Sequence, residues 1–151
     1  MNTRWVLKHF NELSVTELYS ILQLRNEVFV VEQNCVFQDA DNKDQNCYHL
    51  MGFQNDLLVA YTRIVPPQII YVEASIGRVV TSTNVRRNGA GKLLMHQSIK
   101  CLYELFGQVS IKIGAQLYLK QFYESFDFVQ TGCIYLEDGI EHIHMVKAPS
   151  V

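Results

Sequence analysis

The sequence contains no uninterrupted apolar run of about 18 residues, the length that a helix needs to cross a bilayer. It also lacks an excess of charge: 13 Lys and Arg stand against 15 Asp and Glu, a formal net charge of −2. No long-range field therefore draws it to nucleic acid or to an anionic membrane, and any site for a polyanion has to be local. There is no Cys-x-x-Cys pair. Cys35, Cys47, Cys101 and Cys133 are scattered through 151 residues, a length that folds without covalent staples, so they read as free thiols. Where a signal peptide would place an apolar run, the N-terminal segment carries Arg4, Lys8, His9 and Glu12, and a cytoplasmic protein is expected. Repeats, linkers and low-complexity tracts are absent too, which leaves one domain over residues 1–151.

What is present suffices for an ordinary core, since 48% of the residues are hydrophobic and 11% aromatic. Residues 5–10 read as an opening strand. Ser14-x-x-Glu17 is a capping box before Leu18, Ile21, Leu22, Arg25 and Phe29, so an amphipathic helix is expected to end near Val30 or Val31. Residues 34–46 form a polar loop with Asp39, Asp41, Asn42, Lys43 and Asp44. Residues 49–53 and 57–65 look like a hairpin, and Pro66-Pro67 ends its second strand because proline cannot donate to a ladder. A third apolar run follows at 74–81. Leu93, Leu94, Ile99, Leu102, Leu105 and Phe106 recur at helical spacing after Asn88-Gly89 and stop at Gly107. A short buried strand at 110–115, a helix at 117–126 and a hairpin of 128–135 with 140–146 across Asp138-Gly139 complete a mixed α/β order.

The stretch richest in chemistry is Ile76-Gly77-Arg78-Val79-Val80-Thr81 followed by Arg86-Arg87-Asn88-Gly89-Ala90-Gly91-Lys92, a strand leading through a turn into a helix. Glycines there let backbone N–H groups converge, and the positive end of the helix dipole adds its pull on an anion. Arg86, Arg87 and Lys92 supply charge-assisted donors suited to a phosphate or pyrophosphate. The same residues also suit a solvated basic turn that merely caps a core helix. Two phosphate templates are excluded by inspection. A P-loop needs Ser or Thr after its Gly-Lys, where Leu93 stands, and a dinucleotide fingerprint needs a third glycine where Leu94 stands.

Arg86-x-x-Gly89-x-Gly91 resembles the Gln/Arg-x-x-Gly-x-Gly/Ala acyl-CoA loop of the GNAT acetyltransferases, which likewise follows an apolar strand. A second GNAT segment, Phe-Tyr-x-x-x-Gly-Phe on a helix after a strand, looks like residues 122–128, with Asp127 at the position of the family glycine. Asp tolerates the left-handed backbone better than most residues. The run from Leu24-Arg25 through Val28-Phe29-Val30-Val31-Glu32-Gln33 to Asp39, Asp41, Asp44 and His49 resembles the ElaA-like branch.

This resemblance implies a GNAT acyl-CoA N-acyltransferase fold, a mixed α+β domain with a twisted sheet of about six to seven strands and about four helices. Strands 74–81 and 110–115 are then neighbours that splay apart to admit the acyl-pantetheine arm of acetyl-CoA. By analogy, the backbone of Val79, Val80 and Thr81 contacts the arm, and an amide near Val80 stabilises the oxyanion. Arg86, Arg87, Asn88, Gly89, Ala90, Gly91 and Lys92 would hold the pyrophosphate, with Gln116, Phe122 and Tyr123 completing the cofactor side. No metal is expected: His142 and His144 share a strand face but lack a third ligand. The acceptor would be a small-molecule or peptide amine, and pairing through the C-terminal strands would make a homodimer.

Acyl transfer to an amine asks for a proton donor to the leaving thiolate and a proton acceptor for the amine. Tyr123 is the candidate acid: a phenol with pKa of about 10 stays protonated at neutral pH. An aromatic stripe of Phe122, Tyr123 and Phe126 also suits plain helix packing. The acceptor is left open among Glu32, Glu73, His142 and His144. Glu32, Asp39, Asp41 and Asp44 either favour a cationic substrate or form a solvated acidic loop, and Arg25 either snorkels or pairs with one of them. Two other functions compete with the enzyme. One is an acyl-CoA sensor without turnover, which would not need Tyr123; the other is an ATP-binding protein, which lacks a magnesium ligand beside Lys92.

Overall fold

The computed structural model describes residues 2–149. Its elements in chain order are β1 (Arg4–His9), α1 (Val15–Arg25), β2 (Tyr48–Gln54), β3 (Leu57–Val65), β4 (Ser75–Thr81), α2 (Ala90–Phe106), β5 (Ile111–Gln116), α3 (Lys120–Glu124), β6 (Val129–Glu137) and β7 (Ile140–Lys147). Local chemistry sets most of the ends. The Ser14 hydroxyl accepts from the Glu17 amide while the Glu17 carboxylate accepts from the Ser14 amide, which satisfies two orphan donors at the start of α1. Both hairpin turns place two residues in the left-handed region, Asn55 and Asp56 at φ 51° and 62° and Asp138 and Gly139 at 51° and 77°. That geometry matches the right-handed twist of the flanking strands.

α1 does not stop at Val30 or Val31. It runs on as a wide π turn, Asn26–Glu32, closed by a hydrogen bond from the Gln33 amide to the Val28 carbonyl at 3.2 Å. The segment expected as a helix at 117–126 is shorter: a 3-10 turn, Leu117–Leu119, precedes the five-residue α3. Asp127 ends it at φ 71°, and the Phe128 amide reaches back to the Tyr123 carbonyl at 3.3 Å. This is a Schellman-type stop in which Asp takes the left-handed role of the family glycine. Three α-helices are thus formed among the described residues rather than about four. Short 3-10 turns stand at Phe10–Glu12, Asp44–Asn46 and Thr83–Val85.

The strands form two antiparallel sheets, β1-β2-β3-β4 and β5-β7-β6. β3 is buried on both faces from Leu58 to Val65, hence its nearly continuous apolar sequence. α2 covers one face of the first sheet and continues across the second, where Leu94, Met95 and Leu102 pack with Leu50, Ile64, Ile76, Ile113 and Ile143. α1 covers the opposite face, with Ile21, Leu24 and Val28 against Met51, Tyr61 and Val80. Each fully buried Leu or Ile contributes about 1.5–3 kcal/mol, so this double sandwich holds β3 and β4 rigidly.

The two sheets meet at a single parallel bridge, Ala74 to Ile111, where the Lys112 amide donates to the Ala74 carbonyl at 2.9 Å. Beyond it, among the described residues, β4 pairs only with β3, and β5 only with β7. The facing edges of β4 and β5 therefore splay, as the family resemblance implied. The β3–β4 register shifts between Tyr61 and Arg63, and Arg78 within that bulge has φ 50°.

Candidate functional site

The splay opens a cleft of about 980 Å³. One wall is β4 from Ile76 to Thr81, whose cleft-side edge has no partner strand, and the facing wall is β5 from Ile113 to Gln116. The π turn swings Phe29, Glu32 and Gln33 onto one end, because its extra residue per turn rotates them off the face that buries Ile21 and Leu24. Tyr118, Leu119 and Tyr123 close the α3 side, and the β6–β7 hairpin contributes Glu137, Asp138, Ile140 and His142.

Of the expected cofactor residues, Val79, Val80, Thr81, Arg86, Gln116 and Tyr123 line this cleft. Arg87, Asn88, Gly89 and Lys92 are exposed around the start of α2, outside the lining. Gly89 caps that helix at φ 74°, a backbone that favours glycine. Ala90 is buried against Val59 and Val85. A Cβ on Gly91 would lie 3.7 Å from the Phe122 ring, so Phe122 also lies outside the lining and packs the helix of Tyr123 against the α2 N-terminus. The two GNAT-like segments are thus brought together by tertiary packing. The first-turn amides of α2 have no acceptor within the helix, and with Arg87 and Lys92 beside them they can hold an anion.

Tyr123 is buried, 6% exposed, among Phe122, Phe126 and Phe128. Burial pushes its phenol well above the usual tyrosine range, so it is a protonated donor at neutral pH. Both packing and cleft lining hold for this residue at once. Arg86 donates to both oxygens of Glu32 at 2.7 Å and to the Thr81 carbonyl at 3.2 and 3.3 Å. The Arg86 hydrogen bonds hold the Glu32 carboxyl below its ordinary range, which makes Glu32 a counter-ion and a poor proton acceptor.

The other candidate acceptors separate. Glu73 is half-buried just ahead of β4 and does not line the cleft. His144, on the same strand face as His142, does not line the cleft and is stacked on Tyr135 at 4.6 Å and edge-on to Tyr71 at 5.6 Å. Burial, then Lys112, lowers its pKa. His142 does line the cleft.

The aspartates of the acidic loop are paired with arginines rather than left to solvent. Arg25, fully buried, donates through Nε to Asp39 at 2.7 Å and through Nη1 to Asp44 at 2.8 Å. Arg63 reaches Asp41 and Asp44 at 2.8 and 2.9 Å, and Arg78 reaches Asp39 at 2.8 Å. Burial alone would raise the Asp41 carboxyl, but Arg63 and Arg78 outweigh it and hold it down to about 2. Asp39, Asp41 and Asp44 are therefore structural counter-ions, and the notion that they attract a cationic substrate is corrected. Arg25 pairs; it does not snorkel.

The sequence reading missed Phe29, Phe37, Tyr118 and the hairpin turn as cleft walls. The turn is tied across the chain by the Cys35 thiol, 3.5 Å from the Asp138 carbonyl, a contact with no local signal. Among the described residues the four cysteines are free, no group of three or more His, Cys, Asp or Glu is assembled to hold a metal, and no helix is long and apolar enough to cross a membrane.

Comparison with known proteins agrees with this architecture. Residues 24–149 match the family model for the acetyltransferase (GNAT) domain. Protein ElaA of Escherichia coli is 41% identical over 145 residues, covering 95% of this chain and 95% of ElaA. Its crystal structure superposes with TM-score 0.90 at 40% identity, covering 97% and 99% of the two chains. An acyl-CoA N-acyltransferase from Pseudomonas aeruginosa superposes with TM-score 0.94 at 38% identity over 97% of this chain and all of that one. An aminoglycoside 6'-N-acetyltransferase complexed with coenzyme A, 15% identical over 94% and 96% of the two chains with TM-score 0.69, shares the fold alone. The unpaired β4 edge, the glycine turn into α2 and the Phe-Tyr helix that packs on it occur here in one chain, and that chain belongs to the GNAT acetyltransferase family, in the branch that includes ElaA.

Proposed function

We propose that the protein transfers an acetyl group from acetyl-CoA to a primary amine, by direct attack of the amine on the thioester while both substrates are bound. The observation that carries this reading is that the free edge of β4 and the Tyr123 side chain line one cleft together with Arg86, three residues before the α2 N-cap Gly89. Its volume, about 980 Å³, suits a large cofactor-sized ligand. Pantetheine amides are matched by the unpaired peptide groups of β4, and phosphates by the α2 amides with Arg87 and Lys92.

In this reading the amine nitrogen forms the new C–N bond, the C–S bond breaks with its electrons leaving on sulfur, and Tyr123 protonates that sulfur. A backbone amide near Val80 faces the developing oxyanion. Tyr123→Phe is expected to keep acetyl-CoA affinity while thiol release with a panel of primary amines falls by about 10²–10⁴-fold. Isothermal titration of acetyl-CoA, with ATP as control, reads the first part and a thiol assay the second. An unchanged rate in the variant would remove Tyr123 as the acid. Absence of acetyl-CoA binding would remove the whole reading.

A further inference from the structure

We infer that His142 is the proton acceptor for the attacking amine, with Glu137 as the positioning residue that receives the charged ring. The inference rests on the acetyl-transfer reading and names the half of the chemistry which that reading leaves unassigned.

His142 is 7% exposed, and its little remaining surface lies in the cleft. Its Nδ1 lies 2.7 Å from the Ile140 carbonyl. A carbonyl oxygen only accepts, so Nδ1 carries the hydrogen and the neutral ring keeps its lone pair on Nε2. Nε2 in turn lies 3.5 Å from Glu137 Oε2. A proton arriving at Nε2 therefore meets an anion already in place, and both nitrogens of the imidazolium then have acceptors. The Tyr135 ring lies against the imidazole at 5.8 Å and 28° and fixes its plane. This is the arrangement that a base needs: one tautomer, an Nε2 without a hydrogen, and a counter-ion beside that nitrogen.

The strand register then puts acid and base on opposite faces of β5. Along β5, Ile113 and Ala115 point into the core that holds Tyr123, whereas Gly114 and Gln116 point the other way. His142 is paired with Gln116 and so projects from that second face. Tyr123 and His142 both line the cleft, so the leaving thiolate and the attacking amine can be served by different side chains from the two faces of β5. Gly114 adds room: a Cβ there would stand 2.9 Å from the Tyr135 hydroxyl and 3.2 Å from that of Tyr71.

The groups near His142 are few. From β6 come Glu137 and Tyr135, from β5 the uncharged Gln116 and, further along, Lys112 over the Tyr71 ring. Its own strand contributes His144, and the segment before β4 contributes Tyr71 and Glu73. Glu137 alone among the carboxylates approaches a nitrogen of His142 within salt-bridge distance among the described residues.

The step balances as follows for an ammonium substrate. The ammonium ion gives one proton to Nε2 of His142, the free amine nitrogen then bonds to the thioester carbon, and the C–S bond breaks with its electrons leaving on sulfur. The thiolate takes a proton from Tyr123, the surplus proton on the new amide nitrogen returns to the phenolate through solvent, and His142 releases its proton to solvent.

Two measurements test this. Nitrogen-15 shifts of the neutral imidazoles in the free full-length protein should show the His142 hydrogen on Nδ1 and not on Nε2. For turnover, His142→Asn keeps an N–H to donate to the Ile140 carbonyl while removing the base. It should bind acetyl-CoA as the parent does. With n-butylamine, which is an ammonium ion at neutral pH, its rate should fall by about 10²–10³-fold. With methoxyamine, which is already neutral, the fall should be less than about tenfold, since little remains for a base to do. Glu137→Gln takes the counter-ion from the charged ring, so the n-butylamine rate should fall about tenfold while the methoxyamine rate and acetyl-CoA affinity stay as they were. A proton found on Nε2, or equal losses for the two amines, would overturn the assignment while leaving acetyl transfer intact. Failure of the parent protein to bind acetyl-CoA would instead sink the underlying reading, and this inference with it.

Discussion

Arg25 and Arg63 lie beneath the loop after α1, buried, each bonded to two aspartates; Arg86, Arg87 and Lys92 circle the start of α2 with most of their donors toward solvent or a single half-exposed partner. Both groups are cation clusters beside the same cleft, yet they do different work. In the first, every strong acceptor nearby is taken, so the charges lock a loop onto β3 and β4 and offer nothing to a ligand. In the second, desolvation is slight, the ion pair is weak, and the cations remain available to an incoming anion.

Arg25→Ala should separate the two clusters by the widest margin. Removing that guanidinium leaves Asp39 and Asp44 buried without their main partner, and a loss of about 3–5 kcal/mol is expected in urea unfolding. A loss below about 1 kcal/mol would show that the cluster is not structural. Acid should act on the same cluster. Asp41, at about 2, and Asp44, also lowered, sit below the unfolded carboxylate value of about 3.9. Their contribution is present above that value and is lost as pH falls through the folded one, so the melting temperature should drop steeply between about pH 4 and pH 2. His49 adds an earlier slope. Burial depresses its pKa below the ordinary histidine value of 6.5, so the unfolded chain takes up a proton first and stability begins to decline below about pH 6.5.

Smaller effects belong to the α2 turn. Gly89→Ala meets no neighbour within 4 Å, so its cost is only the left-handed backbone, about 1 kcal/mol by thermal unfolding. Arg86→Ala should change stability by less than about 1 kcal/mol, since it breaks only a half-exposed pair with Glu32. It should still weaken acetyl-CoA binding about tenfold in a calorimetric titration, the loss of one charge-assisted contact. If Arg86→Ala unfolded the protein and Arg25→Ala did not, the two clusters would have been assigned the wrong way round.

Hairpins, the capped start of α1 and the full length of α2 were legible in the sequence because their signals are local: Ser14 with Glu17, Asn55-Asp56, Asp138-Gly139 and Gly107 all act within a few residues. The glycine turn and the Phe122-Tyr123 pair were legible as motifs. What the loop acids do was not, because Arg25, Asp39 and Asp44 read alike whether solvated or paired, and only burial tells the cases apart. Nor were the roles of Glu32, His142 and His144 separable, since spacing along a strand gives a face but not what covers it.

Hydrogen bonds and backbone preferences between near neighbours thus settled the elements, their order and the glycine turn into α2, and all of these can be read from the chain alone. The tertiary structure decided that β4 and β5 part after one bridge, that three arginines neutralise three aspartates, and that Tyr123 and His142 both line the resulting cleft. Those outcomes depend on contacts between residues far apart in the chain, where the stabilising quantity is the removal of charge and apolar surface from water. No local pattern encodes that.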